Sequence, residues 1–381
     1  MRVLSILTNE KLEHLYEKLD DEVINLPQKF KKLRVGLLPR ICQLFITALK
    51  SDSNKKVKFY QLKSSKENAV TNLLESPHCL TALLMSDKVY EKDTGLDGDK
   101  VAVELKSKIN LDLQNRLNKS ILRKGQRVQL FAVDHSIKKY AFPNCFYSPE
   151  GTNILKQSDF YANLLRRIVK LTPTMSTIND EQINDLGRVI YELVENTEQH
   201  GKLEFNSGKV NKSVRGLIID YQFITKKCSS EKIGGENSAI TDYLEAIRID
   251  NRTVHLLEIS IFDSGGGILK SLGSDHTLGF SLKTEVDVVG KSFAKGVTSK
   301  ANSLGYGRGL FNVRSILDKR KGFISLRTGE IGVYRDFNLQ PLTEGEQDPL
   351  SLFDEINKSK NNYNRLVPTQ GLAYSILVPL R

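Results

Sequence analysis

The 381-residue chain has no tryptophan, only four cysteines, and no apolar run near the roughly 18 residues needed to cross a bilayer. Each absence excludes something. Cys42, Cys79, Cys145 and Cys228 stand far apart, without a C-x-x-C pair or a nearby histidine cluster. That pattern excludes a disulfide framework and a structural zinc site, and reads as reduced, mostly buried thiols. The longest apolar candidate, Leu37 to Leu49, is interrupted by Pro39, Arg40 and Gln43, so no membrane partner is expected. The N-terminal stretch MRVLSILTNEKLEH turns polar too soon for a secretory signal, which predicts a cytoplasmic protein. What is present is ordinary for a soluble protein able to bury a core: 39% hydrophobic and 27% charged residues. The net charge of +11 favours acidic partners such as phosphates, nucleic acid or anionic lipid. The lysines are dispersed, however, apart from short clusters at Lys29-Phe30-Lys31-Lys32 and Lys319-Arg320-Lys321. A solvated basic exterior is therefore favoured over a nucleic-acid surface.

The length predicts two domains. Up to about residue 150 the chain reads as mixed α and β. Leu12 to Leu49 has helix-like spacing broken at Pro27 and Pro39, Val57–Leu62 and Arg127–Val133 read as strands, and Val101–Leu122 reads as a polar-faced helix. Turn formers at Phe142-Pro143-Asn144 and Ser148-Pro149-Glu150-Gly151 mark a seam, giving domains 1–150 and 151–381. Beyond it, Ser158–Leu171 and Asp180–His200 read as helices, and Val214–Thr225 and Val254–Phe262 as strands, with a short helix near Ala239–Ile249 between them. Then come a Gly-rich region, a helix at Leu310–Asp318, and strands near Phe323–Arg327, Gly332–Phe337 and Ala373–Pro379. Gln340–Pro368 reads as a polar loop. Helices followed by mostly antiparallel strands predict a two-layer α/β sandwich, with helices on one face of a mixed sheet.

Three segments carry chemistry. In Ile183 to Gly201 the apolar positions 183, 186, 190, 193 and 194, continued by Thr197, form one helical stripe. Glu192 and Asn196, four apart and off that stripe, are neighbours on the helix surface. A neutral amide can ligate Mg²⁺, and a carboxylate beside it can take a proton from an attacking water. Gly201 sits at a helix C-cap position. Next, the strand Leu257–Phe262 runs directly into Asp263-Ser-Gly265-Gly-Gly267-Ile268. A carboxylate at a strand end can accept a hydrogen bond from an exocyclic amine such as adenine N6, and glycines let backbone approach a flat base. Finally, Gly305-Tyr-Gly307-Arg308-Gly309-Leu310 opens onto a helix, whose N–H groups can cradle phosphate, with Lys300 and Arg308 adding charge. The chain has no G-x-x-x-x-G-K-S/T, and the glycine spacing is not that of a dinucleotide fingerprint.

E-x-x-x-N, then D-x-G-x-G-I, then a basic loop ending in G-x-G-x-G-L together resemble the three nucleotide-binding boxes of the GHKL ATPase superfamily, which includes gyrase, heat-shock chaperones, histidine kinases and MutL. Thr369-Gln-Gly371-Leu-Ala-Tyr-Ser-Ile-Leu-Val-Pro resembles the closing strand of that domain, so the resemblance spans about residues 155–381. It implies a Bergerat-type α/β sandwich binding ATP and Mg²⁺. Asn196 would be the metal ligand and Glu192 the general base. Asp263 would read the adenine amine, with Gly265 and Gly267 shaping its pocket, and Gly305, Gly307 and Gly309 would lie under the phosphates. Residues 269–304, which contain Gly273, Gly279, Gly290 and Gly296, would form a nucleotide-gated lid.

None of the six histidines has the acidic neighbour and proline spacing of a phosphoacceptor helix. His14 lacks that proline, His135 falls in a loop and His255 in a strand, so autophosphorylation on histidine is not expected. Three readings follow. The first is an ATPase used as a conformational switch on a homodimer or partner interface. The second is a serine/threonine kinase of the anti-sigma type, which the sequence around His200-Gly201 resembles. The third is an ATP-sensing module that never hydrolyses its ligand and regulates the N-terminal region.

Overall fold

The computed structural model describes residues 1–31, 33–52, 55–60, 73, 75–86, 89–91, 127–133, 145–148, 155–171, 178–201, 212–225, 230–235, 238–248, 253–271, 281–297, 308–343 and 348–380. In chain order these contain α1 (Asn9–Tyr16), β1 (Val23–Pro27), α2 (Leu37–Ser51), β2 (Lys56–Tyr60), α3 (Pro77–Met85), β3 (Val89–Glu91) and β4 (Arg127–Val133). There follow α4 (Ser158–Leu171), α5 (Asp180–His200), β5 (Val214–Ile224), α6 (Ser230–Gly234), α7 (Ala239–Ala246), β6 (Val254–Asp263) and α8 (Gly267–Ser271). The chain continues with α9 (Leu282–Ser292), α10 (Gly309–Lys319), β7 (Phe323–Gly329), β8 (Ile331–Asp336), β9 (Phe353–Asp354) and β10 (Thr369–Leu380). The helix expected over 101–122, most of the seam expected at 142–151, Cys228 and His135 lie outside the described residues. No described helix is long and apolar enough to cross a membrane.

Strands β4 to β10 form one antiparallel sheet in the order β4-β5-β6-β10-β7-β8-β9. Its central strands are buried on both faces, so both are covered. On one face Leu257, Ile259 and Ile261 of β6 join Tyr374, Ile376 and Val378 of β10. Against them pack Tyr161, Leu165 and Ile168 of α4, Ile190 and Leu193 of α5, and Val313 and Leu317 of α10. The two long helices α4 and α5 approach closely at Gly187, where a Cβ would stand 2.8 Å from the Ala162 nitrogen. The other face, with Phe131, Ile218, Phe262 and Ala373, is covered by α2 and α3, and further along by Ala239, Ile240, Tyr243 and Leu244 of α7. The expectation of helices on one face only is therefore corrected.

A second sheet, three parallel strands in the order β1-β2-β3, lies beyond α2 and α3. Its Ile24, Leu26, Val57 and Phe59 share the core of those helices. Every residue from Leu37 to Leu49 is buried, because α2 is sandwiched between two sheets. This explains why its sequence is apolar almost all round. Pro39 does not break α2: it falls in the first turn, where its missing N–H has no intrahelical partner to lose. Pro27 ends β1 rather than a helix. β4 comes from the N-terminal side of the expected seam, yet pairs along its whole length with β5. The seven-stranded sheet thus draws strands from both sides of residue 150.

Candidate functional site

Helix α5 is the spine of the site. Asn179 caps its start by accepting from the Gln182 N–H at 2.8 Å, and Asp180 and Glu181 suit the positive end of its dipole. The expected stripe is buried as predicted, and Glu192 is buried too, at 8% exposure, because the start of α10 covers it. Its Oε1 accepts from Asn312 Nδ2 at 2.9 Å, with Arg188 Nε at 3.7 Å. A Cβ on Gly309 would lie 2.8 Å from Glu192 Oε2, so the first residue of α10 must be small for the carboxylate to sit there. One turn further along α5, the Asn196 Nδ2 is buried and finds no hydrogen-bond partner among the described residues.

The far end of α5 meets the end of β6 through two glycines. A Cβ on Gly201 would stand 2.6 Å from the Cβ of Asp263, and one on Gly265 would stand 2.7 Å from the Gly201 Cα. Gly201 is the C-cap of α5, as expected, and with φ −74° it is required for this close approach rather than for a left-handed conformation. Gly267 does need its freedom: at φ +82° it turns the chain into α8. Asp263 is 4% exposed, and its Oδ1 accepts from the Gly265 N–H at 2.9 Å. Burial pushes its carboxyl up to about 6. The Gly265 N–H, the buried Arg215 guanidinium, the Lys50 ammonium and the Leu372 N–H pull the other way without cancelling it.

The described contacts thus bring Glu192 to Gly309, and Asp263 and Gly265 to Gly201, at two places along α5, with Asn196 on the same helix between them. Arg308 occupies the N-cap of α10 and gives it no side-chain hydrogen bond. Lys300, Gly305 and Gly307 lie outside the described residues, as do residues 272–280 and 298–304 of the expected lid. What is described of that lid contains α9, which is no loose segment. Val286, Val289 and Phe293 enter the core, the Leu350 N–H donates to Gly290 O at 3.0 Å, and the Glu330 N–H donates to Glu285 Oε1 at 3.3 Å. Burial raises Glu285 to about 7, aided by neighbouring Glu330.

Sequence reasoning missed Asn312, Arg215, Lys50 and the contact role of Gly201. Arg215 carried a faint signal as a lone cation opening an apolar strand, whereas Lys50 is separated from Asp263 by more than 200 positions and carried none.

Replacing Gly309 by alanine suits a helix, since alanine is favoured over glycine by about 1 kcal/mol, but the new methyl must displace the Glu192 carboxylate. The expected outcome is a thermal midpoint that rises by less than the helix preference alone would give, because the displaced carboxylate gives up its bond from Asn312. Melting Gly309→Ala alone and in a Glu192→Ala background checks it, and an equal rise in both rejects the contact. No protein-family model matches the chain, and no curated protein sequence matches it significantly.

Proposed function

We propose that this chain is a magnesium-dependent ATP-binding protein of the GHKL type that hydrolyses ATP to switch an oligomer or partner interface. The observation that carries the reading is the convergence on α5. One helix presents Glu192 to the first residue of α10 and, nine residues on, sets its terminal glycine against Asp263. At about 1.5 Å per residue, Glu192 and Gly201 are roughly 14 Å apart along that axis, a span suited to a nucleotide laid from base to terminal phosphate.

In this reading the ionised Asp263 accepts from the adenine amine, and Gly201 and Gly265 leave room for the flat base. The uncapped start of α10 turns its first-turn N–H groups toward the phosphates, with Arg308 adjacent. Asn196 would serve as a magnesium ligand through its amide oxygen, a hard donor, while its buried amide nitrogen, which finds no partner among the described residues, would donate to a phosphate oxygen. Among the described residues no cluster of three or more His, Cys, Asp or Glu side chains is able to hold a metal ion, so magnesium would arrive with the nucleotide and keep phosphate and water ligands. The ion would neutralise phosphate charge. Glu192, held by Asn312, would take the proton from the attacking water.

Calorimetry with magnesium and ATP, then with magnesium and GTP, tests the reading. Saturable ATP binding with weaker GTP binding, followed by phosphate release, is expected. No measurable affinity for magnesium-ATP overturns it, and labelled phosphate appearing on a protein rather than in solution replaces hydrolysis by kinase transfer.

A further inference from the structure

The buried helix α2 carries four polar side chains at positions 40, 43, 47 and 50, spaced three and four apart and so on one face. Three of them grip the backbone around Asp263. Gln43 Nε2 donates to Arg327 O at 3.0 Å, to Thr369 Oγ1 at 3.2 Å and to Gly371 O at 3.3 Å. Thr47 Oγ1 accepts from the Gln370 N–H at 3.1 Å. Lys50 Nζ donates to Ser264 O, the carbonyl that follows Asp263, at 2.6 Å.

Residues 369–371 are not an arbitrary stretch of strand. The register of β10 against β7 shifts between Thr369 and Leu372. Gly371, at φ +69°, donates its N–H to Gly265 O at 2.8 Å, and Leu372 pairs with Asp263 itself. The irregular backbone that frames Asp263 is thus held from behind by one helix.

That helix is also fixed at its other end. The N–H of Gly36, the N-cap of α2, donates to Glu258 Oε1 at 2.8 Å, and Glu258 lies on the same strand as Asp263. From Gly36 to Lys50 is 14 residues of helix, about 21 Å at 1.5 Å each. From Glu258 to Ser264 is six residues of extended chain, about 20 Å at 3.3 Å each. The two lengths match, so α2 lies along the second half of β6 and splints it from Glu258 to Ser264.

We propose that Lys50, with Thr47 and Gln43 behind it, positions Asp263 and so sets the base selectivity of the nucleotide site, making α2 the element through which the N-terminal sheet senses the bound base. This rests on the nucleotide reading above. The chemistry is direct. Lys50 holds Ser264 O and places a positive charge near the carboxylate, which favours the ionised, acceptor form that an adenine amine needs. A guanine presents a carbonyl at the same place, which an ionised carboxylate repels. Weakening Lys50 therefore penalises adenine more than guanine. A helix that merely filled the core would affect both bases alike.

The test is Lys50→Met, which keeps the apolar stem and removes the ammonium, measured by calorimetry with magnesium-ATP and magnesium-GTP across pH 5 to 8. The expected result is a loss of about tenfold in ATP affinity, the size associated with one charge-assisted hydrogen bond. A smaller loss for GTP is expected, with an upward move of the pH at which ATP binding is half-lost. Lys50→Arg restores all three, and in an Asp263→Asn background Lys50→Met changes the ATP-to-GTP ratio no further. If Lys50→Met does not fold, Thr47→Val, which removes the acceptor for Gln370 while keeping the side-chain shape, must shift the same ratio in the same direction. Equal losses for ATP and GTP with an unmoved pH midpoint, or no loss at all, overturn the positioning role and leave the nucleotide reading standing. A wild-type chain that binds no adenine nucleotide overturns both.

Discussion

Glutamine in place of Glu192 is expected to lower ATP turnover by about 10²–10⁴-fold, the range for removing a general base, while leaving the Kd for magnesium-ATP close to wild type. The substitution is nearly isosteric in a site with little slack: the carboxylate sits beneath Gly309, where even a methyl would crowd it. Glutamine keeps an oxygen to accept from Asn312 Nδ2, loses the basicity and the charge that faces Arg188, and gains two amide hydrogens. Folding is therefore preserved, and a change in rate reports chemistry. Steady-state phosphate release and equilibrium binding on the same preparation separate the two quantities. Wild-type turnover in Glu192→Gln excludes this residue as the base. Lost binding with lost turnover means that its role is to hold the nucleotide.

The antiparallel architecture was legible because its elements obey short-range rules. The periods of α4 and α5 and the apolar runs of β5, β6 and β10 each appear within a dozen residues. The layer count was not legible, and β6 shows why. Glu258 and Ser260 alternate with isoleucines, the pattern of a strand with one wet face, yet both are buried. Glu258 is satisfied by the Gly36 N–H and by Gln222 Nε2, partners 222 and 36 positions away, and burial holds its carboxyl up at about 7. A polar residue covered by a distant helix looks in sequence like a polar residue facing water.

The same holds for α2. Pro39, Arg40 and Gln43 interrupt an apolar run, which argues against a membrane helix but gives no hint of a helix buried between two sheets. Arg40 is matched there by Glu355, and Gln43 by four backbone or side-chain acceptors. At the candidate site, residue types within each motif could be read locally. What joins the motifs, the contact of Gly201 with Gly265 and of Gly309 with Glu192, depends on tertiary packing that spacing does not encode.

Asp263→Asn is expected to stabilise the unliganded protein near pH 7.5 and to weaken ATP binding by about 100-fold, the penalty for leaving an amine without its buried acceptor. The opposed signs follow from where the carboxyl lies. Burial raises it from its ordinary 3.8 to about 6 in the folded chain. Between those two values the folded protein binds more protons than the unfolded one, so this residue's contribution is greatest at low pH and stability falls as pH rises through the window. A shift of about two units corresponds to at most about 3 kcal/mol. Asparagine, which still accepts from the Gly265 N–H but must house two donors, is expected to recover about 1–2 kcal/mol of it. Nucleotide binding runs the other way. If Asp263 reads the base as proposed, only its ionised form accepts from the adenine amine without a competing proton, so wild-type ATP affinity is expected to fall as pH drops through about 6. The asparagine variant should show no such fall. Denaturant unfolding at pH 5 and 7.5, with calorimetry over the same range, measures both quantities. If Asp263→Asn is less stable at pH 7.5 and binds ATP as the wild type does, Asp263 is a structural cap at the end of β6 and not the reader of a base.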